Sequence, residues 1–274
     1  MEMGRRRISR QKWTYIILFW IVVIGFWWLE RYAFQDTYES ESGQAHTTVF
    51  PETYIPSFEG GELIIHDYFL LSYAERYEQA AWVAYTLEMA HLTGDIRKRP
   101  YYIQDPQVGT GSADWRNFKG SGYDRGHLCP AGDRKFSETA YNQTFYTSNI
   151  SPQDRQFNAG IWNELEQQVR VWAREYGRLH VITGGVLGEG LQTIGTEHVA
   201  VPEAYYKVVI REEGDDIRAI GFLIPNTGTD LQPEAFLIPL DDLEVLTGLN
   251  FFPQWSEKAQ ESLESSVNSR PWSF

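Results

Sequence analysis

Cysteine is nearly absent from this chain: Cys129 is the only one in 274 residues. An intramolecular disulfide is therefore excluded, and so is a zinc site built on several thiolates. Histidine is sparse as well, six in all, and no two stand at the i, i+4 spacing of a helical metal motif. No segment repeats. Positive charge is in deficit, 24 Lys and Arg against 37 Asp and Glu, for a net charge of −13. That balance argues against general adhesion to nucleic acid, whose binders carry a basic footprint. Aromatic residues, by contrast, are plentiful: 15% of the chain, ten of them Trp. Such a composition points to a packed body of one large or two small domains rather than to disorder.

Charge is also missing locally. "RRRISRQK" carries five basic residues and is followed by Trp13 to Leu29, seventeen residues with none. At 1.5 Å per residue the run covers about 25 Å, near the lower limit for crossing a bilayer. Tryptophans at both ends suit the membrane interface. No small-residue cleavage site follows, so the run is expected to be a transmembrane signal anchor, with residues 1–12 in the cytoplasm. The later chain then faces outward, to a bacterial periplasm or cell surface. A cleaved signal with a secreted product is the alternative. Residues 30–60, polar and holding Pro51 and Pro56, read as a linker, leaving 61–274 as the folded domain.

Within that domain "ELIIHDYFLLSY" (62–73) reads as strand, and "ERYEQAAWVAYTLEMAHL" (75–92) as helix ending before Gly94. A helix over "FNAGIWNELEQQVRVWAREYG" begins near Asn158 and ends at Gly177. Strand-like runs follow at "RLHVITGGVL", "HVAVPEAYYKVVIRE" and "IRAIGFLIP", and "SEKAQESLESS" reads as a terminal acidic helix. Strands and helices lack regular βαβ alternation, so the expected class is α+β, a largely antiparallel central sheet flanked by helices. "GGVLGEG" (184–190) lacks the Gly-Lys-Ser/Thr ending of a phosphate loop and reads as a turn.

The stretch that stands out is "SGYDRGHLCPAGDRKF". Gly126 lets the backbone bend and frees His127 to project. Imidazole titrates near neutrality, which suits a general base. Asn158, Trp162 and Glu166, spaced i, i+4 and i+8, share one helical face. Taken singly, Asn158 is an ordinary N-cap candidate and Glu166 an ordinary solvated residue.

Together, "YDRGHLCPAGD" and "TFYTSNISPQDRQFNAGIWNELE" resemble the DNA/RNA non-specific endonucleases, the family of Serratia-type nucleases and endonuclease G. "ADWRNFKGSGYDRGH", "VITGGVL", "VAVPEAYYKVVI" and "LEVLTGLNFFP" extend the likeness across roughly 62–265. The resemblance implies a ββα-metal site in which His127 is the general base and Asn158 binds a magnesium ion, with manganese as a substitute. It implies that Glu166 orders the water around that ion, that Asn149 is a further site residue, and that Asp124 and Arg125 support the site. An upstream arginine stabilises the transition state, either Arg97 or Arg99, with Arg99 preferred. The implied activity is hydrolysis of DNA and RNA to 5′-phosphorylated products without sequence preference. A catalytically inactive surface protein of the same fold, binding nucleic acid or a partner, is the rival reading. The window 96–135 holds eight basic and four acidic residues, a basic strip in an acidic chain that steers phosphate to the site.

Overall fold

A computed structural model describes residues 10–33, 50–96, 98–214 and 216–274; within 10–33 it describes the side chains of 12, 13, 15 and 17–25. The chain divides into two compact units, Met1–Thr37 and Tyr38–Phe274. The first contains the helix α1 (Arg10–Ala33). Its described apolar side chains, among them Ile17, Leu18, Ile21 and Val22, are exposed. Among the described residues no helix is long and apolar enough to cross a membrane. The expected span over 13–29, whose side chains at 14, 16 and 26–29 lie outside those described, gains no support from them. Of the expected linker, residues 30–33 end α1 and residues 34–49 lie outside the described residues. Its last part is not a tether: Phe50 and Tyr54 are buried in the core of the second unit.

In chain order the strands of the second unit are β1 (Glu62–Ile65), β2 (Leu70–Ala74), β3 (Gln79–Glu88), β4 (Asp124–His127), β5 (Ile150–Gln153) and β6 (Arg178–Gly185). After them come β7 (Thr193–Ile194), β8 (Val199–Ala200), β9 (Ala204–Glu213), β10 (Asp216–Pro225) and β11 (Leu237–Ile238). The helices are α2 (Glu138–Gln143), α3 (Arg155–Phe157), α4 (Asn163–Tyr176), α5 (Leu240–Thr247) and α6 (Glu257–Glu264). Seven strands form the main sheet in the order β1-β2-β3-β6-β9-β10-β11. Every pairing in it is antiparallel.

Alternate residues of β3 serve different layers, as a period of two requires. Val83, Tyr85 and Leu87 pack with Leu165, Val169 and Trp172 of α4. Trp82 and Ala84 pack with Leu240 and Leu243 of α5, and with Phe251 and Phe252. Each of these larger side chains contributes ~1.5–3 kcal/mol by leaving water. This arrangement corrects the helix expected over 75–92. A central strand covered on both faces has no polar alternation, and its continuous apolar run imitates a buried helix. Glu78, at φ 55°, turns the chain from β2 into β3.

The chain leaves the sheet after β3 and rejoins it at the adjacent strand β6. Everything between belongs to one excursion: β4, β5, α2, α3 and α4, with a third apolar cluster that includes Tyr102, Phe118, Phe145 and Ile150.

Candidate active site

β4 and β5 form an antiparallel ribbon in the register Asp124↔Gln153, Gly126↔Ser151 and His127↔Ile150. A Cβ on Gly126 would lie 2.0 Å from Gln153 Oε1 and 2.5 Å from its Cγ. Gln153 is fully buried. Glycine is needed here for space in an extended strand, not for the bend expected from the sequence. One residue beyond the ribbon, Asn149 is fully buried. Its Oδ1 accepts from the Cys129 amide at 2.8 Å, and its Nδ2 donates to the carbonyls of Cys129 (3.0 Å) and Thr144 (2.9 Å). Those bonds make it a brace for the backbone that follows His127.

The helical arm starts earlier than Asn158. Asp154 is the cap, its Oδ1 accepting from the amides of Gln156 (2.8 Å) and Phe157 (3.0 Å). After α3 the helix widens into a π-type turn, Asn158–Trp162, with Gly160 at φ −100°, ψ −112°. A widened turn inserts a residue and shifts the helical register. Trp162 consequently turns into the core, 1% exposed, rather than sharing the face of Asn158 as its spacing suggested. Asn158 Nδ2 donates to Asp124 Oδ2 at 3.1 Å, joining the arm to the ribbon three residues before His127. That bond orients the amide and leaves Oδ1 as an oxygen donor. Glu166 follows on α4, its side chain 15% exposed.

His127 stands edge-on to Phe145, ring centroids 4.8 Å apart, and beside Tyr102 at 5.8 Å. The residue is only partly buried, but its Nε2 is enclosed and bonded to no protein group. Burial, and secondarily the Arg99 charge, push its pKa down to about 3. The imidazole is therefore neutral at pH 7, with a lone pair to offer. Arg99 is exposed; it donates to the Tyr102 hydroxyl at 2.5 Å and lies over the Tyr102 and Phe145 rings at 5.4 and 5.6 Å. Arg125 lies over the rings of Tyr102 (4.8 Å) and Trp115 (5.7 Å). Arg97 lies outside the described residues.

Behind this rim is a buried charge network that sequence reasoning did not single out. Arg170 donates to Asp133 Oδ1 at 2.5 Å and to Glu166 Oε2 at 3.2 Å. Tyr85 donates to the other Asp133 oxygen at 3.4 Å. Lys207, fully buried, sits 4.5 Å from the centre of the Trp162 ring and 3.3 Å from Thr183 Oγ1. Burial raises Glu166 to about 7 despite the opposing pull of Arg170 and Lys207. Burial lowers Lys207 to about 8, against Glu166 and Asp133. Arg170 was readable as the i+4 partner of Glu166; Asp133 and Lys207 come from distant elements and carry no local signal. The basic strip is also narrower than its composition. Arg134 is fully buried, its guanidinium against Tyr85, and Arg116 is paired with Asp114 at 2.8 Å.

Residues 48–258 match the family model described as DNA/RNA non-specific endonuclease. The chain is 34% identical over 235 residues to the mitochondrial nuclease EXOG of Homo sapiens, covering 79% of this chain and 64% of that protein's length. It is 35% identical over 200 residues to human mitochondrial endonuclease G (68% of this chain, 67% of that protein). To Nuclease C1 of Cunninghamella echinulata var. echinulata it is 34% identical over 201 residues (67% and 80%). A crystal structure of the EndoG/EndoGI complex aligns with a TM-score of 0.66 at 29% identity, covering 72% of this chain and 87% of that one. The family match spans the ribbon, the helical arm and the network beneath them, and this chain belongs to the DNA/RNA non-specific endonuclease family.

Proposed function

We propose that this protein is a divalent-metal-dependent endonuclease that hydrolyses DNA and RNA without sequence preference, leaving 5′-phosphorylated ends. The observation that carries the reading is His127: a neutral imidazole with an unbonded Nε2, held beside an exposed arginine. His127 takes a proton from the attacking water, whose oxygen bonds to phosphorus as the bond to the 3′ oxygen breaks. Arg99 is the cation that meets the charge building on the phosphate. Arg125, spread over two aromatic rings, positions the strand through an adjacent phosphate.

The donor set fits a hard cation. Asn158 Oδ1 is directed by the Asp124 bond, and Glu166 adds a carboxylate two turns along; oxygen donors this few suit magnesium, with manganese in its place, since magnesium retains much of its water. Such an ion supplies charge neutralisation at the phosphate and at the departing oxygen. Glu166, backed by Arg170, orders the surrounding water. Asn149 keeps the strand end carrying His127 in place.

The test is plasmid nicking by the full chain with magnesium, with EDTA, and with His127→Ala. Cutting that requires the ion and falls at least about a thousandfold in the variant is expected. Binding of plasmid without any turnover by the wild type would identify an inactive relative instead. The basic segment ahead of the uncharged run 13–29 supports the further reading that the enzyme is anchored outside the cytoplasm. Cell fractionation tests it: a wholly soluble mature form rejects the anchor.

A further inference from the structure

We propose that Asp241, Glu244 and Glu264 form a calcium site that ties α5 to α6. One carboxylate oxygen from each lies within 4.8 Å of the others. Two oxygens on opposite sides of a calcium ion, with bonds of about 2.4 Å, span that distance. Asp241 and Glu244 share a face of α5, being i and i+3. Glu264 comes from the end of α6.

An acidic cluster alone is commonplace on surfaces. This one contains a carboxylate in a place that water does not serve. Glu264 is 2% exposed, and its Oε1 is enclosed without a hydrogen-bond partner. An ionised oxygen so placed is costly unless a cation meets it. The neighbours make it worse: Glu244 and Asp241 bring two more carboxylates to the same place. The helix adds a third penalty, since the C-terminal end of α6 carries partial negative charge. One Glu244 oxygen already accepts from the Phe251 amide at 2.7 Å, which fixes that side chain from the outside. A divalent ion answers all three penalties at once. All-oxygen donors from flexible carboxylates, with water completing the shell, favour calcium over softer metals. The cluster shares no residue with the His127 site.

The experiment uses the full chain, stripped with EDTA, in thermal melts and calorimetric titrations with calcium chloride. Millimolar calcium is expected to raise Tm on the order of 5 °C. Glu264→Gln and Asp241→Asn should each abolish that rise and weaken the calorimetric event at least about tenfold, while plasmid nicking in magnesium persists. Two variants are used so that a folding defect in one does not decide the outcome. A Tm rise reproduced by potassium chloride at equal ionic strength overturns the proposal. So does calcium binding that survives both variants and disappears in Asn158→Ala.

Discussion

Two sets of arginines in this molecule are held in opposite ways. At the rim of the site, Arg99 and Arg125 rest on aromatic rings, and among the described residues neither is paired with a carboxylate. Beneath it, Arg170 is gripped by Asp133 and Glu166, with 11% of its side chain exposed. An aromatic face steadies a guanidinium without neutralising it, so the rim cations keep their charge for phosphate. A carboxylate partner consumes the charge, so the inner cation serves architecture. Sequence shows eight basic residues in one window; only the environment of each decides which kind it is.

The contrast can be broken from either side. The largest effect belongs to the inner set: Asp133→Ala leaves Arg170 without its closest partner and costs about 3–5 kcal/mol of stability, read by urea unfolding. Gly126→Ala ranks next. Its new methyl meets the buried Gln153 side chain, which lowers stability by about 1–3 kcal/mol and nicking activity with it. At the rim, Arg99→Ala is expected to lose about 10–100-fold in kcat/KM with an unchanged melting temperature. Arg125→Ala should weaken binding across all sequences and reduce the salt slope by about one, measured by titration against short duplexes. A fall in Tm at the rim, or none at Asp133, would erase the distinction.

A further effect concerns pH. His180, buried beside Phe50 and Tyr54, is lowered to about 4, first by burial and then by Arg178, against a pull upward from Glu212 and Glu88. Between pH 6.5 and about 4 the unfolded chain binds this proton and the folded one does not. Stability therefore falls as pH drops through that window, by at most ~1.4 kcal/mol per pH unit for this group, and is unaffected above it. His180→Gln should lessen the dependence measured between pH 7 and 5, His127 and His91, both lowered by burial, supplying the rest.

Local signals were legible where one physical cause governs the residues. The runs of β6, β9 and β10 announce strands through branched side chains, and Gly177, at φ +87°, ends α4 as its position implied. The DRGH ribbon and the Asn-to-Glu arm meet through the bond between Asp124 and Asn158. What was not legible depends on partners far away in sequence. β3 looked helical because two layers cover it, one from α4 and one from α5. Trp162 left the expected face because the turn around Gly160 widens. Lys207 looks like any strand lysine until Trp162 and Glu166 are brought over it.

The route of the chain also bears on how such a site changes over time. The excursion from β3 to β6 starts and ends on neighbouring strands, its two feet about 5 Å apart. A hinged cassette of this kind lengthens, shortens or changes its rim without disturbing the register of the sheet that carries it. Selection for new substrates at the rim is thereby loosened from selection for a stable scaffold, but not along the seams where α4 packs on β3, Lys207 meets Trp162 and Tyr85 reaches up to Asp133.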